Sequence, residues 1–141
     1  SIPLFELGTK SEDVAVLSEC LRFLRRQLGL ASRQGADGLR PYSTLTDVLI
    51  SLMVHPKPEI SAEAIDCLML LKTPAGKLLG NLSLAIRNVA RNQAEYPPWA
   101  PFDICAKYGE ELEAVVDDLL HVFEHAISPE ARINAAHTLR G

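Results

Sequence analysis

Two histidines and a glutamate near the end of the chain have the spacing of a zinc site. They belong to the stretch HVFEH at residues 121–125, where His121, Glu124 and His125 form an H-x-x-E-H pattern. On a helix this spacing puts both imidazoles on one face, where they can bind one zinc ion while the glutamate acts as a general base. A catalytic zinc also takes a third protein ligand, and Glu130 is the single acidic residue in positions 126–141. The sequence therefore supplies no clear third ligand.

The apolar residues of the same helix predict which way the histidines face. The expected inner face consists of Leu112, Val115, Val116, Leu119, Phe123 and either Ala126 or Ile127. At about 100° per residue, His121 lies about 200° from both Leu119 and Phe123, and His125 lies beside His121. Both imidazoles are thus expected on a solvated face, and we predict no metal site, no cofactor and no catalytic residue. A metal-dependent enzyme that uses His121 and His125 is retained as the third hypothesis.

Length and charge restrict the class of protein. The chain has 141 residues, about one domain in size, with 48% hydrophobic residues and a net charge of −4. This charge gives no electrostatic attraction to nucleic acid or to an anionic membrane, and no apolar run approaches the roughly 18 residues of a membrane span. The first ten residues lack the layout of a signal peptide and begin without methionine. We expect a single domain, 1–141, that is an excerpt of a longer chain.

The cysteines indicate a reducing compartment. Cys20, Cys67 and Cys105 are odd in number and far apart, and they form no C-x-x-C motif. This usage is typical of thiols that pack as small apolar groups, which favours the cytoplasm or the nucleus.

Apolar residues recur with a helical period along nearly the whole chain, so we predict an all-α fold. The expected helices number about six and span roughly 10–30, 44–55, 58–72, 74–93, 102–126 and 129–140. Thr9 and Glu12 form a capping-box pattern before the first helix, and a flexible loop is expected at 31–42. Gly76 and Gly80 share one face of the fourth helix, where the close approach of a neighbouring helix would explain them. The short, proline-marked links predict antiparallel neighbours stacked as helical hairpins.

Two stretches share a layout that repeats along the chain. HPKPEISAEAIDCLMLL at 55–71 and ISPEARINAAHTLRG at 127–141 each open a helix with Pro-Glu, continue with small residues and close with leucine. This layout resembles the start of HEAT or armadillo repeat helices. The resemblance implies an α-solenoid segment, in which stacked helix hairpins present a concave surface to partners. The two stretches lie about twice one repeat apart, and the loop at 31–42 is long for a regular array.

Three clusters of side chains are candidates for partner binding. The first is a basic cluster on the first helix, the second a polar ridge on the fourth helix, and the third an aromatic group around YPPWAPF. Each cluster also has a structural interpretation as a solvated face or as a plug between loop and helices. Their members, in that order, are Arg22, Arg25 and Arg26; Lys77, Asn81, Asn88 and Arg91; and Tyr96 and Trp99.

These observations favour a non-catalytic scaffold for protein–protein interaction built from HEAT- or armadillo-like helical repeats. Its partners would be other proteins, with no direct signal for nucleic acid or membrane, and its exposed solenoid ends could self-associate. The alternative is a compact helical adaptor domain that binds a peptide or a lipid headgroup.

Overall fold

A computed structural model of the protein describes residues 2–92 and 99–140, and within these ranges it contains helices and no strand. The predicted all-α class is confirmed, and six of the helices have nine or more residues. The helices are α1 (Ile2–Gly8), α2 (Val14–Ala31), α3 (Gly35–Leu39), α4 (Thr46–Leu52), α5 (Pro58–Leu70), α6 (Ala75–Ala90), α7 (Ala100–Tyr108), α8 (Val116–His125) and α9 (Pro129–Arg140). Shorter 3₁₀ segments lie at Ser32–Gln34, Arg40–Leu45 and Gly109–Val115. No helix in the described part of the chain is both long enough and apolar enough to span a bilayer.

The contacts divide the chain into two compact units, residues 1–73 and 74–141. The single domain expected from the sequence stays a prediction. Each unit has its own buried leucines.

The first unit is built on α2, the longest helix. Its buried residues are Leu17, Leu21, Leu24 and Leu28, which recur every three or four residues and form one stripe. This face packs against α5, which buries Ile60, Ala64, Ile65, Cys67 and Leu68. The helix begins later than predicted, because the Asp13 carboxylate accepts hydrogen bonds from the backbone N–H groups of Ala15 and Val16 and caps it. The capping box expected at Thr9 is therefore wrong: Thr9 follows α1, and its hydroxyl donates to the carbonyl of Phe5.

Helical turns occupy the segment 31–42, which was expected to be a loop. They comprise Ser32–Gln34, Gly35–Leu39 and the start of Arg40–Leu45. Leu39 and Leu45 are buried, so two leucines tie these turns to the first unit. The glycine and proline residues of the segment favour a loop over these short helical turns when the sequence is considered alone.

The end of α5 places a lysine where glycine is usual. Lys72 has φ of 56°, in the left-handed region, and the N–H of Thr73 donates to the carbonyl of Leu68 at 3.2 Å. The N–H of Lys72 donates to Met69, which completes a Schellman motif. A side chain in this conformation costs about 1–2 kcal/mol.

The second unit is built on α6, which packs against α7, α8 and the 109–115 segment. Its buried residues include Leu78, Leu82, Ala85, Ile86 and Val89, whereas Leu79, which the same helical period also places on this face, is only half-buried. The explanation offered for Gly76 and Gly80 is wrong, since a Cβ at either position would meet no atom within 4 Å. Both glycines lie on the solvent side of α6.

The long helix predicted to run to about 126 is divided into α7, a 3₁₀ segment and α8. Gly109 ends α7 with φ of 58° and ψ of −129°, a conformation that favours glycine. The single helix expected over 102–126 is thus interrupted at Gly109. The final helix begins where predicted, at Pro129, with the Ser128 hydroxyl accepting the N–H of Ala131 at 3.4 Å.

Candidate functional site

The burial of α8 differs from its prediction and defines the first part of the site. Leu119 and Val122 are buried, with Leu112 and Val115 before them and Ala126 after them. Phe123 and Val116, expected on the inner face, are instead 43% and 39% exposed, and of the two alternatives Ala126 is buried and Ile127 is 58% exposed. The helix carries two apolar stripes with the same 4-3-4 spacing, about 100° apart, and the period alone does not choose between them.

A buried ion pair favours the observed choice. Asp118 is 5% exposed and lies on α8 beside the inward stripe, and its carboxylate pairs with the Arg87 guanidinium of α6. A buried carboxylate requires such a partner, so α8 packs on α6 in the orientation that brings Asp118 to Arg87.

The second apolar stripe of α8 faces outward, and we call it the outer stripe. It consists of Val116, Leu120, Phe123 and Ile127, all between 39% and 58% exposed. Its helical members, from Val116 to Phe123, cover seven residue steps, about 10 Å or two turns, and Ile127 follows just beyond the end of α8. An uncovered stripe of this length is typical of a surface that contacts another protein.

The outward face of α9 forms a groove beside Phe123, and we call it the α9 groove. Its cavity volume is about 460 Å³, and its lining residues are Phe123, Pro129, Arg132, Ile133, Ala136, His137 and Arg140. The members on α9 recur every three or four residues, so they form one continuous face. The opposite face of α9 buries Ala131, Asn134 and Ala135.

The polar part of the groove is basic. Arg132 donates from Nε to the carbonyl of Phe123 at 2.9 Å, which satisfies one carbonyl in the last turn of α8 and holds the guanidinium at the groove. Arg140 lies two turns further along α9, and His137 lies between them. None of the seven lining residues is acidic, although the whole chain carries a net charge of −4.

A third uncovered apolar face lies on α2 in the first unit. Val16, Phe23 and Leu30 recur every seven residues and are 50%, 47% and 53% exposed. The ring of Phe23 lies 5.6 Å from that of buried Phe5 and beneath the guanidinium of Arg26. Both units therefore expose an apolar helix face besides the one they bury.

The basic cluster predicted for partner binding is largely paired. Arg25 bridges α2 to α5, with its Nε 3.1 Å from Glu63 and its Nη1 3.7 Å from Asp66. Arg22 pairs with Glu19 on the same helix at 3.2 Å, and Arg26 lies over the ring of Phe23. Arg25 thus contributes to helix packing, and the use of these arginines by a partner stays a prediction.

The polar ridge and the aromatic group are located only in part. Lys77, Asn88 and Arg91 are exposed on α6, and Asn81 is half-buried. Trp99 is 51% exposed at the start of α7, where its carbonyl accepts the N–H groups of two following residues. Tyr96 lies outside the described residues. Partner binding by these residues also stays a prediction.

The histidine pair lies on the side of α8 away from the buried stripe, where His125 is exposed and His121 is half-buried. The imidazole centroids of His121 and His125 are 4.9 Å apart, and Nε2 of His125 lies 3.7 Å from the Glu124 carboxylate. Among residues 2–92 and 99–140, no group of three His, Cys, Asp or Glu side chains is placed to hold one metal ion.

Burial suppresses the acidity of the thiols. It raises the pKa of Cys105 to about 12, with the Asp118 charge adding to the effect. Burial also raises the pKa of Cys67, with Glu63 and Asp66 adding to the effect, and that of Cys20. All three thiols stay protonated at neutral pH and are poor nucleophiles.

No protein-family model, no curated protein sequence and no solved structure matches this chain.

Proposed function

We propose that this protein is a non-catalytic scaffold for protein–protein interaction, built from helix hairpins of the HEAT or armadillo kind. One observation carries the proposal: α2 and α8 each have two apolar faces and bury only one of them. In a helical-repeat protein each hairpin lies between neighbours, so its helices carry apolar residues on more than one side.

The uncovered faces have the composition of contact surfaces. Phe23 and Phe123 supply aromatic rings that are 47% and 43% exposed, and Leu120 and Ile127 supply aliphatic groups. Aromatic residues contribute strongly at protein interfaces because they bury a large area with few rotatable bonds. The Pro-Glu pairs that open α5 and α9 add the sequence resemblance to HEAT and armadillo repeats.

The chemistry of the titratable groups supports a non-catalytic role. The thiols are held in their protonated form, and the imidazoles of His121 and His125 face solvent rather than a cleft. The three cysteines form no disulfide, which fits the cytoplasm or the nucleus as the place of action.

The proposal is tested by affinity capture with matched variants. The immobilised chain is exposed to a cell extract as wild type, Phe23→Glu, Leu120→Glu and Leu84→Glu, and bound proteins are quantified by mass spectrometry. Leu84 is the control, because it is 53% exposed on α6 but belongs to neither uncovered face. We expect proteins that bind wild type and the Leu84 variant equally and lose about tenfold or more with one of the other variants. No capture at all would refute the scaffold function, and capture that neither Phe23→Glu nor Leu120→Glu reduces would refute the role of these two faces.

A further inference from the structure

We propose that the α9 groove binds an amphipathic helix of a partner protein whose apolar ridge is flanked by two carboxylates about two turns apart. This inference rests on the proposed scaffold function and names the class of partner. It is argued from the shape of the groove, its length and the sign of its charges.

The floor of the groove suits an apolar helix face. Phe123 and Ile133 are 43% and 50% exposed, and Pro129 and Ala136 complete the apolar lining. A volume of about 460 Å³ accommodates a few apolar side chains but not a folded domain. Small Ala136 near the centre lets a partner helix approach α9 closely, in the manner of helix-in-groove recognition.

The length of the groove sets the length of the partner segment. From Pro129 to Arg140 the face covers eleven residue steps, about 16 Å along the axis of α9. A partner helix of about twelve residues would cover it with apolar anchors at positions i, i+4 and i+7.

The charges set the sign and spacing of the partner's flanking residues. Arg132 and Arg140 are eight residues apart, which is about 12 Å along α9. Carboxylates at a matching separation on the partner would meet both guanidinium groups, and Arg132 is already oriented by its bond to Phe123. Glu130 lies outside the lining, about 160° around α9 from Arg132, and therefore does not neutralise this edge.

Direct binding to synthetic peptides tests the inference. The probes are three fluorescein-labelled, alanine-based 18-residue peptides, a length at which helix formation becomes favourable. The first, the acidic peptide, carries leucines at i, i+4 and i+7 and two glutamates eight residues apart. The second, the lysine peptide, has lysines in place of these glutamates. The third is the acidic peptide with alanines in place of the leucines. Binding to the whole chain is measured by fluorescence anisotropy at low and high salt.

We expect the acidic peptide to bind about tenfold more tightly than the lysine peptide, and the difference to shrink at high salt because the pairs lie at the groove edge. Ile133→Glu should weaken binding of the acidic peptide about tenfold, whereas Leu84→Glu, at a site of similar exposure, should leave it unchanged. Arg140→Glu should weaken binding of the acidic peptide and strengthen that of the lysine peptide. This charge reversal on an exposed side chain keeps the test valid if Ile133→Glu lowers stability.

Three outcomes contradict the inference: no binding of the acidic peptide, equal binding of the acidic and lysine peptides, or binding that neither Ile133→Glu nor Arg140→Glu changes. A fourth contradicting outcome is dimerisation that depends on protein concentration and that Ile133→Glu abolishes, with no peptide bound. Sedimentation velocity would detect it, and the groove would then contact a second copy of this chain. Capture that depends on Leu120 or Phe23 would leave the scaffold function standing in each of these cases, so the two failures are distinguishable.

Discussion

The ion pair between Arg87 and Asp118 predicts an asymmetric response to mutation. Asp118 is 5% exposed, whereas the Arg87 side chain is 42% exposed and reaches water with its far end. Arg87→Leu leaves a carboxylate buried without its counter-charge. Such a loss costs about 3–5 kcal/mol in fully buried pairs. We expect about 3 kcal/mol here, because Asp118 also lies in the first turn of α8, where the helix dipole favours negative charge.

Removing the other partner, Asp118, should lower the free energy of unfolding much less. In Asp118→Leu the guanidinium of Arg87 turns to solvent, so only a partly exposed pair is lost, worth about 1 kcal/mol. The double variant replaces the pair with two apolar side chains and should be close to Asp118→Leu in stability. The coupling energy from the double-mutant cycle is then about 3 kcal/mol.

Urea denaturation followed by far-ultraviolet circular dichroism measures the four free energies of unfolding. The pair Arg40–Asp37 is the control, since its side chains are 77% and 85% exposed at a distance of 2.8 Å. Removal of Asp37 should change stability by less than about 0.5 kcal/mol. Equal losses from Arg87→Leu and Asp118→Leu, or losses no larger than the control, would refute the assigned role of the buried carboxylate.

Three further predictions concern backbone conformation and a buried thiol. Lys72→Gly should raise the free energy of unfolding by about 0.5–1 kcal/mol, because glycine adopts the left-handed conformation freely. The control, Lys77→Gly within α6, should lower the free energy of unfolding by about as much. A lower free energy of unfolding in Lys72→Gly would contradict the Schellman motif. Gly80→Ala should stabilise the protein by about 0.5–1 kcal/mol, since the added Cβ meets open space. Gly109→Ala should destabilise the protein by about 1–3 kcal/mol, because Gly109 has a positive φ. Thermal denaturation measures both changes. The raised pKa of Cys105 means that the folded state holds a proton that the unfolded state loses above pH 9, so stability should fall as pH rises from 9 toward 12. The Cys105 contribution is up to about 1.4 kcal/mol per pH unit, and Cys105→Ala should have a shallower slope in denaturation experiments; equal slopes would contradict it.

Local chemistry made two of the helix starts predictable. Pro58 and Pro129 begin α5 and α9 as expected, because proline fixes φ near the helical value and lacks the N–H that the first turn leaves unpaired. The buried leucines of α2 were also predictable, since one stripe on that helix is clearly richer in leucine than the others.

Features that depend on a neighbouring element could not be predicted from the sequence. The choice between the two stripes of α8 depends on where Arg87 of α6 lies, so Phe123 was wrongly placed in the core. The open space around Gly80 likewise arises because no neighbouring helix in the described part of the chain packs against that side of α6, which the sequence of α6 alone does not reveal. For the candidate site, the 4-3-4 spacing of the outer stripe and the basic face of α9 were visible in the sequence. Whether these faces are exposed depends on the orientation of α8, which the contact between Asp118 and Arg87 of α6 fixes.

The links between paired helices have very different lengths. Three residues, 126–128, join α8 to α9, whereas residues 32–57 separate α2 from α5. The entropy of closing the longer link is greater by about 2 kcal/mol before any contact forms in return. We therefore expect the α8–α9 pair, which carries the groove, to assemble early during folding, and the α2–α5 contact to form in a slower step. When the whole chain refolds from denaturant, the basic face of α9 would then form before the larger helix pair of the first unit has closed.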